Sequence, residues 1–174
     1  ATGGFDGLGA YEFDGVDDHI NISDSDSLRP PIAITIAAWV KPKAAAQSAA
    51  IVDKISFGGS DGYSLNLIFG RPALNIGGSA TSGGTSLPVD AYSHIAGVYD
   101  GSQIVIYVNG VEDGSGPKTG AIPANSTISL RIGLDQFDNN DFSGTIDEVI
   151  IFNRSLSAAQ VFNLYANRTS QVAS

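Results

Sequence analysis

The sequence predicts an all-β fold, two antiparallel sheets stacked face to face, with one short helix near the C-terminus. Three observations lead there. About ten short runs rich in Val, Ile, Tyr, Phe and Thr are separated by clusters of Gly, Pro, Asn, Asp and Ser. Residues 93–99 and 103–109 are joined at Asp100-Gly101, and the second run ends in Asn109-Gly110. Both dipeptides supply the positive-φ backbone of tight hairpins, so this stretch reads as a three-strand antiparallel meander. That many strands within 174 residues need two layers to bury their apolar faces.

In chain order the strand-like runs are 10–13, 19–22, 33–40, 50–54, 62–68, 72–76, 93–99, 103–109, 129–132 and 144–152. Alternation is masked in places: Ile104-Val105-Ile106-Tyr107-Val108 is apolar on both faces, as expected for a strand covered on two sides. Gly77-Gly78-Ser79-Ala80-Thr81-Ser82-Gly83-Gly84 reads as a flexible connecting loop. One helix is signalled. Ser157-Ala158-Ala159-Gln160 is a capping box, and Val161, Leu164 and Tyr165 follow at i, i+3 and i+4 as one packing face. The expected organisation is one domain over 1–174, with its core at about 10–166 and a polar, linker-like tail at 167–174.

Composition sets limits. Fifteen Asp and three Glu stand against nine Lys plus Arg, for a net charge of -9. Such a surface argues against nucleic acid or an anionic membrane as partner and permits Ca²⁺ and neutral polymers. The Asp bias fits a turn-rich β protein. No apolar run approaches the roughly 20 residues of a membrane span, so no membrane insertion is expected. With no cysteine there is no disulfide framework. Ala1-Thr2-Gly3-Gly4 has neither a basic n-region nor an apolar h-region, so the expectation is an excised internal module or a signal already removed.

Three segments carry a family likeness: Phe13-Asp14-Gly15-Val16-Asp17-Asp18, the paired stretches 92–101 and 103–110, and Gly144-Thr145-Ile146-Asp147-Glu148-Val149-Ile150-Ile151-Phe152-Asn153-Arg154-Ser155-Leu156-Ser157. Together they resemble the laminin-G-like, concanavalin A-type jelly-roll family over residues 10 to about 165. The resemblance implies a jelly-roll β-sandwich ending in a short helix. It also implies a binding or adhesion module of a larger extracellular protein, presented at a cell surface or secreted. His19 and Ile150 depart from the family pattern, which often has an aromatic at the first and Arg at the second.

Calcium is one expected partner. Asp14, Asp17 and Asp18 lie in a Gly-containing turn, and hard cations want six to eight oxygen ligands. Asp147 is expected to complete the shell from the late strand as a structural staple, and the resemblance implies calcium in this region. The alternative is a plain turn, with Asp147 capping a backbone amide.

A polysaccharide or glycan is the other expected partner. Asp135, Gln136, Phe137, Asp138, Asn139, Asn140 and Asp141 form a loop that joins planar hydrogen-bonding groups to an aromatic face, the combination sugars require. A solvated loop is the alternative. Lys54, Tyr63 and Arg71, with Asp53 and Asp61 beside them, form a second set, since Lys or Arg beside Tyr binds hydroxyls or carboxylates of a glycan. The resemblance places the Asp53-Lys54 and Gly62-Tyr63 segments on or near the concave sheet, and surface salt bridges are the alternative. Trp39 and His94 lie in apolar strands and read as core, His94 with its hydrogen bonds satisfied.

Catalysis is not expected. Glu12-Phe13-Asp14 is followed by Val16 and Asp24-Ser25-Asp26 by Leu28, so no strand carries carboxylates at i, i+2 and i+4. Asp147 and Glu148 are adjacent and on a regular strand face opposite sides. The reading is therefore a non-catalytic carbohydrate-binding module. The alternatives are an adhesion module or spacer and, less favoured, a polysaccharide hydrolase or lyase. The sequons at Asn21 and Asn125 are without meaning outside a eukaryotic secretory setting.

Overall fold

Alternation orients the central strands of the first sheet. In β3 (Ile34–Pro42), Ile34, Ile36, Ala38 and Val40 point to the interior while Thr35, Ala37 and Trp39 point the other way. A computed structural model describes residues 3–56, 59–123 and 127–172, with side chains to 167. The sequon residues Asn125 and Ser126 lie outside the described residues.

The remaining strands are β1 (Tyr11–Asp14), β2 (Ile20–Ile22), β4 (Ala49–Ile55), β5 (Gly62–Ile68), β6 (Arg71–Ile76), β7 (Ser79–Ser82), β8 (Ser93–Tyr99), β9 (Gln103–Val108), β10 (Val111–Pro117), β11 (Leu130–Ile132) and β12 (Ser143–Phe152). They form two six-stranded sheets, β1-β12-β3-β8-β9-β10 and β2-β11-β4-β5-β6-β7, every pairing antiparallel. This is the two-sheet sandwich the sequence predicts, and β8, β9 and β10 are its expected meander. The Asn109-Gly110 turn has φ of 50° and 77°, as its residues foretold.

Between the sheets lie Ile36, Leu65, Leu74, Ile95 and Ile106, all fully buried. Gly97 sits at their closest approach: a Cβ there would meet the Leu74 Cβ at 2.8 Å. The glycine lets the two layers close down on Leu74.

The two outer faces differ. That of the first sheet is covered by α1 (Ala158–Val172), whose Val161 and Leu164 pack with Leu156 on Ala37, Ala96, Val98, Val105 and Tyr107. The capping box forms: Gln160 N–H donates to Ser157 Oγ at 3.3 Å, and Ser157 N–H donates to Gln160 Oε1 at 3.0 Å. Beside the helix, Phe5 stacks on Trp39 with centroids 3.5 Å apart, and Tyr165 flanks the same ring. Trp39 is thus buried, but beneath the N-terminal segment and helix rather than between the sheets. His94 packs edge-on to Trp39, and its Nδ1 finds no partner among the described residues, contrary to the expected satisfied histidine. Burial holds its pKa down to about 4, so the ring stays neutral.

Two further elements depart from expectation. Residues 77–84 hold edge strand β7, because Ala80 and Thr81 keep register with Asn75 and Leu74 once β6 is in place. The helix runs through 167–172, where a polar tail is expected; no Gly or Pro stands there to end it.

Gly97→Val is expected to lower unfolding stability by about 1–3 kcal/mol, since the added methyls must displace Leu74. Urea unfolding followed by Trp39 fluorescence measures it.

Candidate functional site

Among the described residues, nothing comparable covers the outer face of the second sheet. Inward positions Tyr63, Leu65 and Leu67 of β5 are buried, which turns Ser64 and Asn66 outward. Cross-strand register extends this into a polar row. Arg131 pairs with Asp53, Asp53 with Ser64, and Ser64 with Asn75. Asn66 lies one rung away, between Ala50 and Ala73. The loop after β11 closes over one side of the row. The result is a depression of about 350 Å³ bordered by Asp53, Asn66, Asn75, Asp135, Phe137 and Asn140, with Phe69 at its rim.

The floor is short of partners. Asn66 Nδ2 donates to Ser64 Oγ at 2.9 Å, yet Asn66 Oδ1 and Asn75 Oδ1 are buried with no hydrogen-bond partner among the described residues. Buried acceptors of this kind are uncommon because each forgoes its bond to water. Asp53 is 4% exposed. Burial raises its pKa to about 7, with the Asp135 carboxylate adding to the rise and the Ile55 N–H, 3.1 Å away, opposing it.

Within the loop, Asp135 is the organiser. Its Oδ1 accepts the N–H groups of Phe137 and Asn139, each at 3.0 Å, and its Oδ2 accepts from the Asn140 side chain. Gln136 turns inward and donates to the carbonyls of Asp53 and Ser129. Asp138 pairs with Arg131. Asn139 is exposed, and Phe137 is 38% exposed. Asp141 is half-buried, its pKa raised by burial and by the Asp135 and Asp138 carboxylates. Of the expected sugar residues, Asp135, Phe137 and Asn140 border the depression, whereas Gln136 and Asp138 serve the loop and its neighbours.

The second expected set is dispersed. Lys54 is 2% exposed and lies between the sheets, where its Nζ donates to Asp24 Oδ1 at 2.7 Å and to the Ile128 carbonyl. Arg29 shares Asp24, and the two cations hold that carboxyl at about 2. Tyr63 is 1% exposed, and its hydroxyl donates to the Leu28 carbonyl at 3.0 Å. The expectation that Lys54 and Tyr63 meet a glycan is corrected here: the parity that turns Ser64 outward turns both of them inward. Only Arg71 is exposed; it borders an adjoining depression shared with Phe69.

Asp14, Asp17 and Asp18 do come together. One carboxylate oxygen from each lies within 4.8 Å of the others, all exposed. That spacing fits oxygens around a single Ca²⁺. Two of the oxygens also accept amides, Asp18 Oδ2 from Asp14 and Asp14 Oδ1 from Val16. Asp147 stands apart from the group. Asp14 pairs with Ser143, four residues from Asp147 along β12, or roughly 13 Å at the usual strand rise. Its Oδ2 accepts the Phe5 N–H and its Oδ1 the Glu148 N–H, both at 2.9 Å. Asp147 thus ties the N-terminal segment to β12 through a hydrogen bond.

A β-bulge between Asp147 and Ile150, with Glu148 at φ 50°, breaks the alternation on which opposite facing of Asp147 and Glu148 depended. Both residues border one depression of about 230 Å³ between β1 and β12.

Sequence reasoning missed Ser64, Asn66, Asn75 and Phe69. The polar–apolar alternation of 63–67 carried the signal for Ser64 and Asn66. Their union with Asn75 needs the register of three strands.

Comparison with known proteins adds context. The family model described as the concanavalin A-like lectin/glucanases superfamily matches residues 14–162. No curated protein sequence matches the chain. Among solved structures, the heptameric SAP-like pentraxin from Limulus polyphemus is similar with a TM-score of 0.71 at 17% identity, over 88% of this chain and 80% of that one. Domain 4 of AbnA, a GH43 extracellular arabinanase from Geobacillus stearothermophilus, in complex with arabinotriose, gives 0.70 at 23% identity, over 90% and 76%. The binding domain of botulinum neurotoxin DC in complex with SialylT gives 0.65 at 12% identity, over 86% and 39%. At these identities the likeness is one of fold.

Asp53→Asn is expected to stabilise the protein at pH 8. The raised carboxyl pKa means that Asp53 favours the native state below about pH 4 and loses that contribution as pH rises through about 7. Asn keeps the neutral form at every pH, so the gain is about 2–4 kcal/mol at pH 8 and fades to nothing near pH 4. Thermal melts of both proteins across this range measure it, and His94, present in both, cancels.

Proposed function

Since the chain belongs to the concanavalin A-like lectin/glucanases superfamily, we propose that it is a non-catalytic carbohydrate-binding module whose glycan lies on the outer face of the second sheet. One observation carries this reading: two buried amide oxygens, Asn66 Oδ1 and Asn75 Oδ1, lack partners among the described residues on the floor of an open depression. A small turn of either side chain toward the depression would let a sugar hydroxyl donate to its amide oxygen. Phe137 supplies an apolar face beside them, against which pyranose or furanose C–H groups pack. The loop 135–141 enters as a wall, with Asp135, Phe137 and Asn140 in the lining.

Similar structures support a lectin-like role, among them an arabinanase domain in complex with arabinotriose and a neurotoxin binding domain in complex with SialylT. Most such neighbours are binding domains, and three carboxylates of this chain have structural roles: Asp24 neutralises Lys54 and Arg29, Asp135 holds its loop, Asp147 holds Phe5. The module is read as part of a larger extracellular protein, brought to its glycan by this domain.

Calcium is the second component. Asp14, Asp17 and Asp18 are the residues that would hold the ion, at the turn between β1 and β2. Bound there, it would stiffen that turn and offset the mutual repulsion of three carboxylates.

Titration calorimetry against arabinan, xylan, glucan and galactan oligosaccharides tests the glycan reading. Binding of one class is expected, with Asn66→Ala and Asn75→Ala each weakening it about tenfold. Silence across the panel overturns the reading.

For the ion, millimolar Ca²⁺ is expected to raise the melting midpoint of the wild type and of Asp147→Ala, but not of the Asp14→Asn, Asp17→Asn, Asp18→Asn triple variant. A chelator-insensitive wild type overturns it.

A further inference from the structure

The turn joining β5 to β6 is built from an ill-suited residue. Ile68 pairs with Arg71, leaving Phe69-Gly70 as a two-residue loop with φ of 50° and 78°. Both central positions need left-handed backbone, which favours Asn, Asp or Gly and penalises a bulky side chain. The chain uses the favoured pair elsewhere: Asn109-Gly110 makes the β9–β10 turn with nearly the same angles, 50° and 77°. At Phe69 the strain brings no compensating burial, since the side chain is 73% exposed. A strained, solvent-facing aromatic is unfavourable for folding twice over, and such residues gather at ligand sites. Phe69 stands at the rim of the depression that holds Asn66 and Asn75.

The charges around that depression narrow the ligand further. Asp53 and Asp135 line it, and no Lys or Arg does among the described residues. Arg131, beside Asp53 in the ladder, donates to the Asp135 carbonyl and pairs with Asp138. Arg71 lies beyond Phe69, on the adjoining depression. The two unpartnered acceptors want donors, and a carboxylate or sulfate brings none.

Building on the carbohydrate reading of this site, we infer that it takes an uncharged glycan, one sugar ring of which stacks on Phe69 while neighbouring hydroxyls donate to Asn66 and Asn75. Phe69 is then the specificity-determining contact, held in an unfavourable backbone because the ligand requires an aromatic there. Acidic glycans, whether uronic, sulfated or sialylated, are repelled by the Asp135 carboxylate that lines the depression.

The test is Phe69→Asn, titrated beside the wild type against neutral oligosaccharides of arabinan, xylan, glucan and galactan, and against oligogalacturonate and a sialylated trisaccharide. Expected is binding of a neutral class only, weakened about tenfold or more in Phe69→Asn. The melting midpoint of that variant should be equal to or above the wild type, because Asn suits the turn. A structural role for Phe69 would instead lower the midpoint, and that outcome overturns the inference, as does unchanged affinity. Preferential binding of an acidic glycan, lost in Asn75→Ala or in Arg71→Ala, overturns the uncharged-ligand inference while leaving a carbohydrate site. No binding to any glycan overturns the carbohydrate reading itself, and this inference with it.

Discussion

Leu65 lies fully buried between the sheets, flanked along β5 by Ser64 and Asn66, and the candidate site follows from that parity. Because side chains alternate with a period of two, anchoring Leu65 inward fixes its neighbours on β5 and, through the ladder, those on β6 and on β4 from Val52 onward, beyond the bulge at Ile51. A slip of one residue would turn Ser64 and Asn66 in between the sheets and Tyr63, Leu65 and Leu67 onto the outer face. Large apolar area holds the register, so the polar face is specified at no expense to the core. The same constraint sends Lys54 inside, where Asp24 must meet it; a buried ammonium without a partner is strongly disfavoured.

The two sheets divide the work. The outer face of the first is apolar and aromatic, and it is sealed by α1 and by Phe5 stacked on Trp39. That of the second is polar, with an uncovered depression. Covering one side gives the sandwich a third layer and added burial. The other stays open, with Asn66 and Asn75 lining its depression and their amide oxygens shielded from water. Under the proposed carbohydrate reading, part of the unfavourable desolvation for binding is met on folding, a form of preorganisation.

Electrostatics follow the same division. Asp24 is held ionised by Arg29 and Lys54, so it contributes to stability wherever it is charged. Asp53 forms no ion pair among the described residues, and burial raises it to about 7 against the opposing charge of Arg131. His94, under the aromatic cover of the first sheet, is depressed to about 4. Its neutral form favours the native state above about pH 6.5, and that contribution falls away as pH drops through 4. Asp53 acts in the opposite sense, losing its contribution as pH rises through 7, so the two oppose each other in mildly acidic solution.

Local chemistry was sufficient for much of this protein. Asp-Gly and Asn-Gly turns wrote the β8–β10 meander, Ser157 and Gln160 wrote the helix start, and Asp14, Asp17 and Asp18 fell together because a single turn joins them. These features span a few residues, and their physics is complete within that span. Tertiary structure decided the rest. It chose which way Lys54 and Tyr63 face, put Trp39 beneath Phe5, parted Asp147 from the Asp14 turn by four residues of register, and placed a bulge at Glu148. It also assembled Asp53, Ser64 and Asn75 from three strands into one row and set Phe69 at its rim. Such relations depend on pairing between segments distant in sequence, and the sequence records the faces of strands without recording which strands become neighbours.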